Sequence, residues 1–128
     1  MLNRTNFKSK DLTDAEEYYK KLHIESSQRR IVRALAKVMV KHIEISEMSI
    51  MGFCWRALQE WQKKHKTDVS EISNMDPENR IKSVSELIDM VGANFKKILL
   101  DKEKEPAVDK GLKEVLAFYK KLYANRKL

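Results

Sequence analysis

Three glycines and two prolines in 128 residues leave this chain almost without the punctuation that strand-to-strand turns require. A many-stranded β fold is therefore excluded, and helices must carry the structure. The apolar residues agree. Ile81, Val84, Ile88, Val91, Phe95 and Ile98 recur three and four residues apart, the spacing of a helix with one continuous packing seam. Asp76 followed by Pro77 marks its start, because proline has no amide to leave unpaired in a first turn. Val108, Leu112, Val115, Tyr119 and Leu122 repeat the pattern after Pro106, and the charged connector DKEKE (101–105) between the two segments reads as exposed.

Three further helices are predicted upstream. The capping-box sequence TDAE (13–16) opens one from about residue 14 to 23, with Ala15, Tyr18 and Leu22 on one side. Ser26 or Ser27 opens a second, reaching about residue 44, whose apolar line is Ile31, Leu35, Val38 and His42. A third begins at Ser46 and ends near residue 65, with Met51, Cys54, Trp55, Leu58 and Trp61 on a broad apolar side. Residues 1–12 read as a polar arm and TDVSEISNMD (67–76) as the longest loop. The expectation is an all-α fold, a compact bundle of about five helices. Residues 13–128 form its single domain, and a C-terminal helical hairpin packs on the second and third helices. Gly92, beside Ala93, would let a neighbouring helix come close.

Composition narrows the chemistry. With 42% hydrophobic and 35% charged residues the chain is too apolar to be disordered. The lone Cys54 excludes an intramolecular disulfide, and nothing in the sequence has zinc-ligand spacing, so no metal or cofactor is expected. The N-terminus lacks a signal-peptide core and no apolar run approaches about 18 residues. These features point to a cytoplasmic or nuclear protein that is neither secreted nor membrane-bound. His23, His42 and His65 fall on different helices without HExxH spacing, and Cys54 between Phe53 and Trp55 reads as buried. Carboxylate pairs such as Glu16 with Glu17 lie on charged, exposed segments, and no glycine-rich loop can cradle a phosphate. A non-enzymatic protein is the expectation.

The charge distribution is the strongest clue to a partner. Lys and Arg outnumber Asp and Glu by 26 to 19, and residues 1–66 carry +6 of the excess against +1 for the remainder. In the segment SQRRIVRALAKVMVKHIEI (27–45), at about 100° per residue from Leu35, Arg29, Arg33, Lys37, Arg30 and Lys41 fall within about 120–240°. They share one outward arc. Arginines in a first turn oppose the helix dipole, and no acidic residue between Glu25 and Glu44 neutralises the row. A local rule broken without compensation marks a functional surface. The competing explanations are a solvated face, or a face paired with the acidic 67–95 segment. Lys63, Lys64 and Lys66 close the third helix, where cations also relieve the exposed carbonyls. Lys120, Lys121, Arg126 and Lys127 supply a weaker basic end. Trp55 and Trp61 read as core rather than as platforms for stacked bases.

The segment GLKEVLAFYKK (111–121) resembles a Gly-Leu then Leu-Ala-Phe stretch in small helical subunits of type III CRISPR effector complexes. The likeness implies an α-helical protein stacked along a guide–target nucleic acid; it spans under a tenth of the chain and assigns no family.

Three functional expectations follow. In the first, the chain binds a DNA or RNA backbone electrostatically as an accessory subunit, through Arg29, Arg30, Arg33, Lys37 and Lys41 with Lys63, Lys64 and Lys66 assisting. In the second it is a helical adaptor, of viral or cellular origin, that binds an acidic protein or a partner helix. In the third it self-assembles through the 81–98 seam.

Overall fold

In a computed structural model, which describes residues 2–24 and 26–124, five α-helices pack into an all-α bundle. They are α1 (Ser9–Lys20), α2 (Ser26–Met39), α3 (Glu47–His65), α4 (Pro77–Lys97) and α5 (Glu105–Ala124). Short 3-10 turns occupy Arg4–Asn6, Val69–Asn74 and Lys102–Lys104. Of the C-terminal cations, Arg126 and Lys127 lie outside the described residues.

Helix α3 is the centre of the bundle, packing on α1, α2 and α4. Its composition explains why: Ile50, Phe53, Cys54, Ala57, Leu58 and Trp61 are all essentially buried, and Trp55 is nearly so. A helix that is apolar over most of its circumference must be surrounded. Both tryptophans are thus core residues, as their spacing predicts. Helices α4 and α5 form the C-terminal hairpin, with α5 also touching α2. The Asp76 carboxylate caps α4 by accepting from the Asn79 amide at 2.8 Å. Gly92 lies against Leu112 of α5, whose side chain occupies the space a Cβ would fill. Val84, Ile88, Val91 and Phe95 of the α4 seam are buried within the chain.

Residues 2–12 are not a polar arm. Leu2, Phe7 and Leu12 all enter the core, at 5%, 1% and 0% exposure. Five-residue spacing matches neither helical nor strand periodicity, so these anchors do not register as a pattern. A two-residue strand β1 (Leu2–Asn3) pairs in parallel with β2 (Ile43–Glu44). The Lys8 amide donates to the Ile98 carbonyl at 2.9 Å and the Leu100 amide to the Asn6 carbonyl at 3.0 Å, tying the N-terminus to the end of α4. Helix α1 accordingly starts at Ser9, and Thr13 lies inside it, its hydroxyl donating to the Ser9 carbonyl rather than capping. Its core face is Leu12, Ala15 and Tyr19, leaving Tyr18 exposed.

Helices α1 and α3 approach backbone to backbone. The Ser49 hydroxyl donates to the Leu12 carbonyl at 2.9 Å, and a Cβ added at Gly52 would sit 2.5 Å from the Ala15 carbonyl oxygen. Helix propensity alone would favour alanine at position 52 by up to about 1 kcal/mol. The clash reverses that sign: Gly52→Ala is expected to destabilise the protein by about 1–3 kcal/mol in urea unfolding, because neither backbone can yield locally.

Candidate nucleic-acid interface

Helix α2 ends at Met39, about five residues earlier than the periodicity of residues 26–44 predicts. The Lys41 amide turns back to the Val38 carbonyl at 3.2 Å and the His42 amide to Met39 at 2.9 Å, tightening the last turn. The chain then extends, because Ile43 and Ile45 alternate with the exposed Glu44 and both isoleucines are buried. A period of two has replaced a period of 3.6. Lys41 consequently lies in the turn and off the helical row: it is exposed, but it does not extend the line of Arg29, Arg33 and Lys37.

The four remaining cations stand as the wheel places them. Arg29, Arg30, Arg33 and Lys37 are all exposed on α2, whose buried side is Val32, Leu35, Ala36 and Met39. With Ser26 and Ala34 they line one shallow, open depression on the helix surface. Among the described residues none of the four takes part in an ion pair, and of the acidic residues in 67–95 the one in an ion pair, Glu86, pairs with Lys64 and His65 of α3. Asp68 accepts from the Ser70 amide at 2.8 Å, which holds its carboxyl below the usual range, and Glu86 serves α3. Arg29 has one long contact, its guanidinium reaching the Ile24 carbonyl at 3.5 Å. From Arg29 to Lys37 the row is about 12 Å long at 1.5 Å per residue.

Like charges at Arg29, Arg33 and Lys37 are four residues apart, so the row opposes α2 by a few tenths of a kcal/mol per pair. Burial of the opposite face holds the helix despite this. Tyr19 of α1 is buried, which pushes its hydroxyl pKa up, while the guanidinium charges of Arg29 and Arg33 pull against that rise. On one flank of the row Ile31 and Ala34 face an apolar pocket.

The second basic cluster divides. Lys64 pairs with Glu86 at 2.9 Å, and His65 Nε2 lies 2.9 Å from the same carboxylate while its ring stacks at 4.6 Å on Trp61. These contacts lower the Glu86 pKa and absorb part of the Lys64 charge. Lys63 is exposed, and Lys66 is the left-handed residue (φ 51°) that closes α3. Gln28 of α2 donates to Gln62 at 3.2 Å, bringing the end of α3 beside the start of α2. The structure also reveals a cation that sequence reasoning passed over. Arg56 stands exposed amid the buried first half of α3, with its guanidinium 5.3 Å from the Tyr18 ring and 5.6 Å from the Phe53 ring. A single cation inside MGFCWRALQEW (51–61) was the available signal.

The other reactive side chains are held structurally. His42 Nδ1 meets Glu114 at 2.8 Å, joining the turn after α2 to α5. Cys54 is fully buried, and desolvation pushes its thiol up to about 12. Among the described residues no group of three or more metal-ligating side chains comes together, and no helix is long and apolar enough to cross a membrane. The chain matches no family model, no curated protein and no solved structure.

Proposed function

We propose that this chain is a small helical protein that binds a nucleic-acid backbone without reading its sequence, as an accessory subunit of a larger complex. One observation carries the reading: four cations, three of them arginine, share the outward face of α2 with no carboxylate partner among the described residues. Guanidinium presents a planar fork that matches phosphate oxygens with two parallel bonds and keeps its charge at any physiological pH. A straight helical row sets these forks at regular intervals against a polyanion of regular charge. Lys63, Lys66 and Lys41 add longer-range attraction from the turns at the two ends of α2, and Lys64 adds less because Glu86 holds it. Trp55 and Trp61 are buried and offer no stacking face, and the row itself contacts phosphates, so the proposed binding is electrostatic.

Protein purified from cells at low salt is expected to carry nucleic acid, seen as a raised 260/280 nm absorbance ratio that returns to the protein value after a high-salt wash. A ratio that is normal at low salt and unaffected by nuclease would overturn the reading. An acidic protein partner is the second reading, and the apolar pocket flanking α2 is the observation that favours it.

A further inference from the structure

Beside the cationic row lies a mainly apolar recess, between α2, the Val69–Asn74 turn, α4 and α5. Its walls come from Ile31, Leu35, Ile72, Val84, Leu87 and Tyr119, and its cavity volume is about 130 Å³. That is below the range of small-molecule sites, about 300–1,000 Å³, and matches a single large side chain. The recess is preformed. The Arg80 guanidinium, almost buried in its wall, donates to the carbonyls of Ser73 at 2.7 Å and Met75 at 3.1 Å, bracing the 3-10 turn on α4.

Two facts say what fits. Ala34 lines both this recess and the depression holding Arg30, Arg33 and Lys37, so the apolar hole and the cationic ridge form one continuous surface. The ridge carries no ion pair among the described residues, so its charge is available to an anionic neighbour of whatever fills the hole. We infer that this surface docks an acidic peptide segment of a partner protein. One large apolar side chain, Leu, Phe or Trp, enters the recess, and flanking carboxylates meet Arg30 and Lys37. A nucleobase suits the recess less well, because its polar edge would be buried against mainly apolar walls, and the Arg80 guanidinium there already donates to the Ser73 and Met75 carbonyls. The inference goes beyond nucleic-acid binding and makes the two ligands competitors for the same arginines.

The test titrates methyl-labelled protein with ten-residue acidic peptides carrying a central Leu, Phe or Trp, with the same peptide carrying central Ala, and with a decathymidylate oligonucleotide. The large-residue peptides are expected to shift the methyl resonances of Ile31, Ile72, Val84 and Leu87, with the alanine peptide at least tenfold weaker, the loss for one side chain left in water. Ile31→Trp, which fills the recess from α2, is expected to abolish that response and leave oligonucleotide retention at low salt intact. Ser73→Trp, at an exposed position on the opposite wall, repeats the test if Ile31→Trp does not fold. No response to any peptide, or an equal response to the alanine peptide, would overturn the inference. Movement of the recess methyls by the oligonucleotide, abolished by Ile31→Trp, would assign the recess to an unstacked base and overturn it as well. Peptide binding without any oligonucleotide binding would leave it standing and remove the nucleic-acid reading instead.

Discussion

Exchange of Arg33 and Lys37 together for glutamate is expected to remove retention on nucleic acid at low salt while the protein stays folded. Both side chains project from the exposed face of α2, and neither is in an ion pair among the described residues, so the core has nothing to lose. On a single strand each lost phosphate contact removes about 0.7 from the slope of log affinity against log salt, and two reversals also add repulsion, giving a loss of roughly tenfold or more at low salt. The single variant Arg33→Glu sharpens the point. It turns two like-charge neighbours, Arg29 and Lys37, into two opposite-charge pairs at four-residue spacing. Each such swing is worth a few tenths of a kcal/mol to the helix, so thermal stability is expected to rise slightly as binding falls. A row kept only for solubility would give no such opposition between stability and binding. Gel-shift assays and thermal circular dichroism on the same samples read both effects.

Phe95→Ala is expected to have the largest effect on stability, about 3–5 kcal/mol, from the emptied volume of a fully buried ring. Against a total of about 5–15 kcal/mol that is a large share, equivalent to roughly 10–20 °C in midpoint for a chain of this length. The ring is the meeting point of three elements. Its centroid lies 4.7 Å from that of Phe53 on α3 and 5.5 Å from that of Phe7, which the N-terminal segment delivers. Loss of the ring therefore loosens the N-terminus as well as the α3–α4 contact. Phe118→Ala is the control: that ring is 46% exposed, and its removal is expected to change stability by no more than about 0.5 kcal/mol. A loss below about 1 kcal/mol for Phe95→Ala would show that this aromatic cluster is not what joins the three elements.

What could be read directly from sequence is what long periodic segments encode. The seam of α4, the apolar faces of α3 and α5, the Asp76–Pro77 start and the buried tryptophans are all legible, because many residues repeat one spacing and a cap fixes the register. Legibility fails where few residues act over long range. Leu2 pairs with Ile43, and Phe7 meets Phe95 only through the fold, so no local spacing announces either. The end of α2 is misread for a related reason. Val40 and His42 continue a helical pattern, while the requirement that Ile43 be buried beside β1 comes from the other end of the chain. Of the cationic row, four members are visible because they share one helix; Lys41 is lost with the last turn. Arg56 and the recess beside Ala34 are products of packing between helices, which helical wheels do not represent.

The central claim is that the α2 cations bind phosphates, and the salt dependence of single-strand binding tests it most directly. Wild-type protein titrated with a labelled oligothymidylate between low and physiological salt is expected to give a log–log slope near −3, about 0.7 for each of four phosphates. The same titration of the Arg33→Glu, Lys37→Glu variant is expected to give a slope no steeper than about −1.4. Identical slopes for the two proteins, or affinity that does not change with salt, would contradict it.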